Sequence, residues 1–231
     1  MKKSIVLVFV GLFLVITSGF AQKIDKLKYL PTFDKRPLHW GFYLGLNQKS
    51  FKLDYKIPNT LINIKDETGF NVGLIGDMRI FDNLNVRLEP GLSHNVKTLY
   101  FTNIATARDS TRALSNTYLH VPLLLKFSAN RIDNFRPYLI AGVSYDFNFS
   151  SNQNSTEDNA QRIFRMKKNN FMYEVGFGVD LYFFFFKFSP SVRGIFAMNN
   201  ELVRDADPNS QWTAPINYLG TRGIFINLAF E

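Results

Sequence analysis

The sequence predicts an all-β fold, a transmembrane up-and-down antiparallel β-barrel of about eight strands with a filled lumen. Three observations predict it. Apolar residues recur at i, i+2, i+4 rather than at helical spacing, in stretches of about nine residues or more, the length a tilted strand needs to cross a bilayer. Short turns alternate with long polar connections. The polar rows of the strands carry acids and bases in equal number.

The chain begins with a segment of a different kind. Met1-Lys2-Lys3 is basic, Ile5 to Ile16 is apolar, and Gly19-Phe20-Ala21 has the small-x-small form of a cleavage site. This predicts a secretory signal peptide over 1–21. Its apolar stretch would rise only about 18 Å as a helix, too short for a hydrocarbon core of about 30 Å. Residues 22–38 follow, with Pro31 and Pro37 and no sustained periodicity, and read as an extended N-terminal extension on the periplasmic side. Within it Lys28, Tyr29, Pro31, Phe33, Asp34, Lys35 and Arg36 form the candidate contact for a periplasmic or trans-envelope partner.

The barrel is expected over 39–231, its strands in order as follows. His39 to Leu53 sets Trp40, Phe42, Leu44 and Leu46 against Gly41, Tyr43, Gly45 and Asn47. Gly69 to Ile80 sets Phe70, Val72, Leu74, Met78 and Ile80 against Asn71, Gly73, Asp77 and Arg79, and Leu84 to Lys97 sets Val86, Leu88 and Leu92 against Arg87, Glu89 and Ser93. Thr117 to Phe127 presents Leu119, Val121, Leu123 and Leu125 opposite His120 and Lys126, while Arg136 to Phe149 presents Leu139, Ala141 and Val143 opposite Ser144 and Asp146. Asn170 to Tyr182, Phe185 to Ala197 and Gly223 to Glu231 complete the set, with Glu174, Asp180, Lys187 and Arg193 on polar rows.

The connections near Phe81-Asp82-Asn83, Ser128 to Asn134 and Phe183-Phe184 are short; Asp54 to Thr68, Thr98 to Asn116, Ser150 to Asn169 and Met198 to Arg222 are long. Four long loops in alternation with tight turns suit an outer-membrane barrel, with long loops extracellular and both termini periplasmic. A soluble ligand-binding barrel would turn its apolar row inward. Here Asp77, Glu89, Asp146, Glu174 and Asp180 balance Arg79, Arg87, Lys126, Lys187 and Arg193, and His120 joins them. Opposite charges neutralise one another in a closed interior, and a barrel of about eight strands is filled by its own side chains. Inward glycines at 41, 73, 91, 142, 176 and 178 are expected to make room for long Arg and Lys stems. Trp40, Tyr43, Tyr100, Phe101, Tyr118, Phe127, Phe149, Phe171 and Phe183 to Phe186 cluster at strand ends, as interfacial girdles require.

The stretch from Lys28 to Asn47 resembles the start of the PorT (SprT) proteins of Bacteroidetes. Gly69 to Asp77, Leu88-Glu89-Pro90-Gly91-Leu92, Val121-Pro122-Leu123-Leu124-Leu125-Lys126, Arg136-Pro137-Tyr138 and Lys187-Phe188-Ser189-Pro190 are similar to motifs of that outer-membrane barrel superfamily. One departure is His120, where related barrels are expected to carry an acid. The resemblance implies a non-enzymatic accessory component of the type IX secretion system, also serving gliding motility where it occurs. Its implied partners are outer-membrane lipids and other envelope proteins of that system. The alternative is a generic small barrel for envelope stability or loop-mediated adhesion.

Other chemistry finds little support. With no Cys, thiolate metal sites and Cys nucleophiles are excluded. Ser93 and His94 are adjacent and point to opposite faces of a strand, so they cannot pair as nucleophile and base. No catalytic residue, metal, cofactor, nucleic acid or small-molecule substrate is expected. The basic run Arg162, Arg165, Lys167 and Lys168 reads as a solvated loop, and secondarily as a lipopolysaccharide contact.

Overall fold

The computed structural model describes residues 29–56, 62–106 and 108–231. The expected signal peptide and Lys28 lie outside the described residues. Among the described residues ten antiparallel strands form one ring: β1 (Leu38–Tyr55), β2 (Ile62–Asp66), β3 (Thr68–Phe81), β4 (Leu84–Leu88), β5 (Gly91–Phe101), β6 (Thr111–Ser128), β7 (Phe135–Asn148), β8 (Asn169–Tyr182), β9 (Lys187–Ala197) and β10 (Ile216–Phe230). β1 pairs with both β3 and β10, which closes the ring; at the loop end β2 pairs with β5 alone.

The ten segments make eight staves. β2 and β3 are one stave interrupted at Glu67, whose amide still bonds the Val96 carbonyl at 3.1 Å, and β4 and β5 are one stave interrupted at Glu89-Pro90. Each stave pairs with its sequence neighbour, so the topology is up-and-down throughout.

The outward face is apolar and bare. Trp40 is 71% exposed, Leu74 65% and Phe177 61%. Leu44, Leu125, Leu139, Val143, Val175 and Ile226 are exposed with them. A continuous band of this size would aggregate in water and is at home in hydrocarbon. Among the described residues no helix is long and apolar enough to cross a membrane, so any crossing is made by strands.

Several strands run further than the sequence suggests. β1 continues to Tyr55, β2 occupies part of the expected loop from 54 to 68, β5 reaches Phe101, and β6 and β10 start at Thr111 and Ile216. The reason is a reversal of polarity along these staves. On β1 the outward row changes from Leu44 and Leu46 to Gln48, Ser50, Lys52 and Asp54, while the inward row changes from Asn47 and Lys49 to Phe51 and Leu53. The barrel is inside-out where lipid surrounds it and becomes an ordinary water-facing barrel beyond that zone. The apolar interior of this loop end is built from Phe51, Ile62, Leu99, Phe101, Leu114 and Leu219 from the strands, with Phe164, Met166 and Leu202 from the loops.

Three of the expected girdle residues do not belong to a girdle. Tyr43, Phe101 and Tyr118 sit on inward rows and are 1%, 2% and 0% exposed. The inward glycines likewise serve rings more than charged stems. A Cβ on Gly73 would stand 2.6 Å from the Tyr43 ring and one on Gly178 2.5 Å from the Tyr138 ring; Gly176, beside Arg193 Cγ at 2.7 Å, does give room to a charged stem.

Candidate functional site

The lumen is the site with the densest chemistry. Asp77, Arg87, Glu89, His120, Lys126, Asp146, Glu174, Asp180, Lys187 and Arg193 all lie buried inside it. Inward parity on eight staves brings them within reach of one another. Lys49 on β1 meets Asp146 on β7 at 3.2 Å. Asp146 meets His120 Nδ1 at 2.5 Å, and His120 Nε2 lies 3.1 Å from Glu174. Arg193 joins Glu174 at 3.3 Å to Glu89 at 2.8 Å. Glu89 meets Arg87 Nε at 2.5 Å, and Arg87 Nη1 reaches Asp77 at 3.3 Å and Glu231 at 2.9 Å. Lys187 closes on Glu231 at 2.9 Å. This single chain of ion pairs ties every stave to the others across the interior. Beside it, Lys126 Nζ donates to both oxygens of Asp180 at 2.9 and 2.7 Å, and Ser189 donates to the same carboxylate at 2.6 Å.

His120, the departure from the expected acid, bridges two carboxylates from neighbouring staves. An acid at this position would face Asp146 and Glu174 with like charge.

Arg79 belongs elsewhere. It was expected in the lumen, but its side chain is 28% exposed at the turn end, where it pairs with Asp82 and donates to the Lys35 carbonyl at 3.2 Å. It sits too near the end of β3 to be enclosed. Two members are missing from the expected set. Lys49 is fully buried, and Glu231 is an acceptor for two cations. Parity alone locates Lys49, since it continues the row of Tyr43, Gly45 and Asn47.

Above the charges, loops fold into the mouth. Met166 and Leu202 form an isolated bridge, and Lys167 N donates to the Glu201 carbonyl at 2.8 Å. Glu201 is buried beneath this lid, accepting from Thr221 N at 2.8 Å and Thr221 Oγ1 at 2.9 Å. Burial holds its carboxyl above the ordinary range, against the opposing pull of the Thr221 bonds and the Lys97 cation. Lys97 Nζ itself lies 3.8 Å from the centroid of the Phe51 ring. Over the top, Arg112 donates to the Asn159 carbonyl at 2.6 Å, and Asn159 donates to Asp205 at 3.0 Å.

The turn end is closed by the N-terminal segment, which was expected to be extended. From Tyr29 it folds under the barrel, with a 3-10 turn over Phe33–Lys35. Asp34 is the latch: it lies 3.5 Å from Arg131 and 3.2 Å from Arg136, and accepts from the Tyr182 hydroxyl at 2.5 Å. Arg131 also donates to the Leu30 and Tyr29 carbonyls. Phe33 stacks on His39 with centroids 4.4 Å apart, and His39 Nε2 lies 2.8 Å from the Phe33 carbonyl. These bonds come from side chains reaching irregular backbone, which no periodicity announces. Pro31, Lys35 and Arg36 remain exposed.

Replacing Asp34 with alanine removes the partner of two arginines at once. The expected result is release of 29–37 while the barrel stays folded. Limited proteolysis should show cleavage in this segment accelerated by roughly tenfold or more, since a charge-assisted bond contributes about 1.5–3 kcal/mol. Unchanged cleavage would mean that the latch lies elsewhere.

The geometry is a wall sealed at three levels: a folded-back segment at the turn end, an ion-pair chain in the middle and an apolar cap at the loop end. Among the described residues no group of three His, Asp or Glu side chains is placed to hold a metal ion. Solved structures with a similar course include the outer membrane protein OprG from Pseudomonas aeruginosa, at 16% identity and a TM-score of 0.47, covering 84% of this chain and 93% of that one. Another is AlkL, determined in DMPC lipid bilayers, at 15% identity and a TM-score of 0.43, covering 90% and 93%. The Neisserial surface protein NspA is similar at 9% identity and a TM-score of 0.40, covering 81% and 95%. No curated protein sequence matches the chain. The family model for the outer membrane protein beta-barrel domain matches residues 20–203, and the chain belongs to that family.

Proposed function

We propose that this protein is a closed, non-enzymatic outer-membrane barrel that serves a protein-export machine as an accessory or assembly component, not as its conduit. The observation that carries the closed state is the ion-pair chain from Lys49 to Lys187, buried from end to end. A barrel that conducts nothing acts through its surfaces. The link to type IX secretion rests on the resemblance of residues 28–47 and the motifs along the barrel to PorT-like proteins. In this reading residues 1–21 are removed on export, the turn end and both termini face the periplasm, and the loop end faces outward. The partner-facing surface is then the exposed side of the folded-back segment, Pro31, Lys35 and Arg36; Tyr29, Phe33 and Asp34 are engaged by the barrel.

The test is a deletion strain complemented with the full chain. Loss of secretion of C-terminally signalled cargo, restored by complementation, is the expected result. Intact secretion with altered adhesion or envelope integrity would select the second reading, a generic barrel that stabilises the envelope or displays adhesive loops. Affinity isolation from native membranes should recover envelope proteins of the export machine with the wild-type chain and fewer with Lys35→Glu/Arg36→Glu.

A further inference from the structure

On the outer wall, where the apolar band ends, β1, β8, β9 and β10 enclose a pocket of about 450 Å³. Its walls are Lys52, Arg222, Tyr173, Phe196, Tyr218 and, at the rim, Asp54. The pairing register fixes its height. Ser50, Arg222, Phe196 and Tyr173 lie side by side in one row across four staves. The next row towards the turn end is Gln48, Ile224, Gly194 and Val175, and the one after it is Leu46, Ile226, Val192 and Phe177. A cationic site therefore sits directly above an exposed aliphatic wall.

The pocket is shaped by rings lying over glycines. Phe196 covers Gly194, where a Cβ would stand 3.1 Å from the ring, and Tyr218 covers Gly220, where a Cβ would stand 2.7 Å from its ring carbons. Phe196 stacks on Tyr173 with centroids 5.0 Å apart and planes 21° apart. The Tyr218 hydroxyl donates to the Ala197 carbonyl at 3.2 Å, which fixes its ring.

Two arginines at this end are already engaged. Arg162 pairs with Asp109, and Arg165 donates to the Ser155 and Arg204 carbonyls. The side chains of Lys52 and Arg222 have neither a hydrogen-bond nor an ion-pair partner among the described residues, and both residues are exposed. Two free cations at the level of an aromatic belt, above aliphatic side chains, match an amphiphile with an anionic head and acyl tails.

We propose that this pocket binds the phosphate of an anionic lipid headgroup, with Arg222 and Lys52 on the phosphate oxygens, Tyr173, Phe196 and Tyr218 against the rest of the head, and the acyl chains on Ile224 and Val175. Asp54 at the rim selects a headgroup that carries hydroxyl or ammonium donors beside its phosphate. The site stands whether or not the protein takes part in export.

The full chain is reconstituted in phosphatidylcholine nanodiscs doped with lipid A or phosphatidylglycerol, and lipids retained on the protein are counted by native mass spectrometry. The expected result is retention of the anionic lipid, weakened roughly tenfold or more in Lys52→Gln/Arg222→Gln, since each surface cation contributes about a fivefold preference. Arg162→Gln/Lys168→Gln should leave retention unchanged, and the cold and heated gel mobilities of each variant check that the barrel has folded. Equal retention in Lys52→Gln/Arg222→Gln would overturn the assignment. So would displacement of the lipid by millimolar inorganic phosphate with no preference between lipids, which would assign the pocket to free phosphate.

Discussion

Replacing Arg87 with alanine is expected to destabilise the folded barrel by about 3–5 kcal/mol, the cost of leaving buried charge without its partner. Arg87 is 2% exposed and serves Asp77, Glu89 and Glu231 together, so its loss leaves Asp77 without an ion-pair partner and takes one of two cations from Glu89 and from Glu231 in a sealed interior. Arg79→Ala is the control. That side chain sits on the same inward parity but at the rim, paired with the largely exposed Asp82, and its removal should cost no more than about 1 kcal/mol. Urea unfolding from lipid vesicles, followed by tryptophan fluorescence, measures both. Similar midpoints for the two variants would mean that the ion-pair chain does not hold the staves together. Arg87→Lys should recover only part of the loss, because an ammonium cannot reproduce the fork with which guanidinium meets several carboxylates.

The second large effect is expected at the loop end, from two consecutive residues. Phe51→Ala should cost about 3–5 kcal/mol, since Phe51 is 2% exposed within the apolar cap and Lys97 lies against its ring. Lys52→Ala, one residue on, should change stability by less than about 0.5 kcal/mol, because its side chain points into water or headgroups. Denaturant midpoints of the two variants read this directly. The contrast tests the reversal of polarity along β1: if Phe51 lay in a mobile extracellular loop, as the sequence suggests for the region just beyond it, both substitutions would be mild.

That reversal also explains how far the fold is legible. The outward rows from Trp40 to Leu46, Phe70 to Ile80 and Leu119 to Phe127 are plain in the sequence, because lipid demands an apolar side chain at every second position. Beyond Leu46 the alternation continues but its sign changes, so the outward row loses its apolar mark at Gln48, Ser50 and Lys52 and the strand reads as ending at Leu53 although it runs on to Tyr55. The same change hides β2 and the first residues of β6 and β10.

The lumen was legible as composition rather than as connectivity. Equal acids and bases on inward rows point to mutual neutralisation, yet which partners meet depends on the stagger of staves far apart in sequence, as Lys49 and Asp146 show. Glu231 follows from parity as Lys49 does, since it continues the inward row of Phe225, Asn227 and Ala229; its partners Arg87 and Lys187 do not. The latch at Asp34 was invisible for a different reason. Its partners Arg131, Arg136 and Tyr182 come from turns and strand ends, and the segment is held through backbone carbonyls that carry no residue-specific mark. Proline-rich and aperiodic, it has the features of a free tail while packing as a stopper.

Ion conductance of the purified full-length protein in a planar lipid bilayer is the most direct measurement of the sealed interior. The structure predicts a flat baseline at both polarities, unaltered by Asp34→Ala alone because the ion-pair chain and the apolar cap still block the way. Reproducible current steps from the wild-type protein would contradict it, and with it the reading of this barrel as a partner rather than a passage.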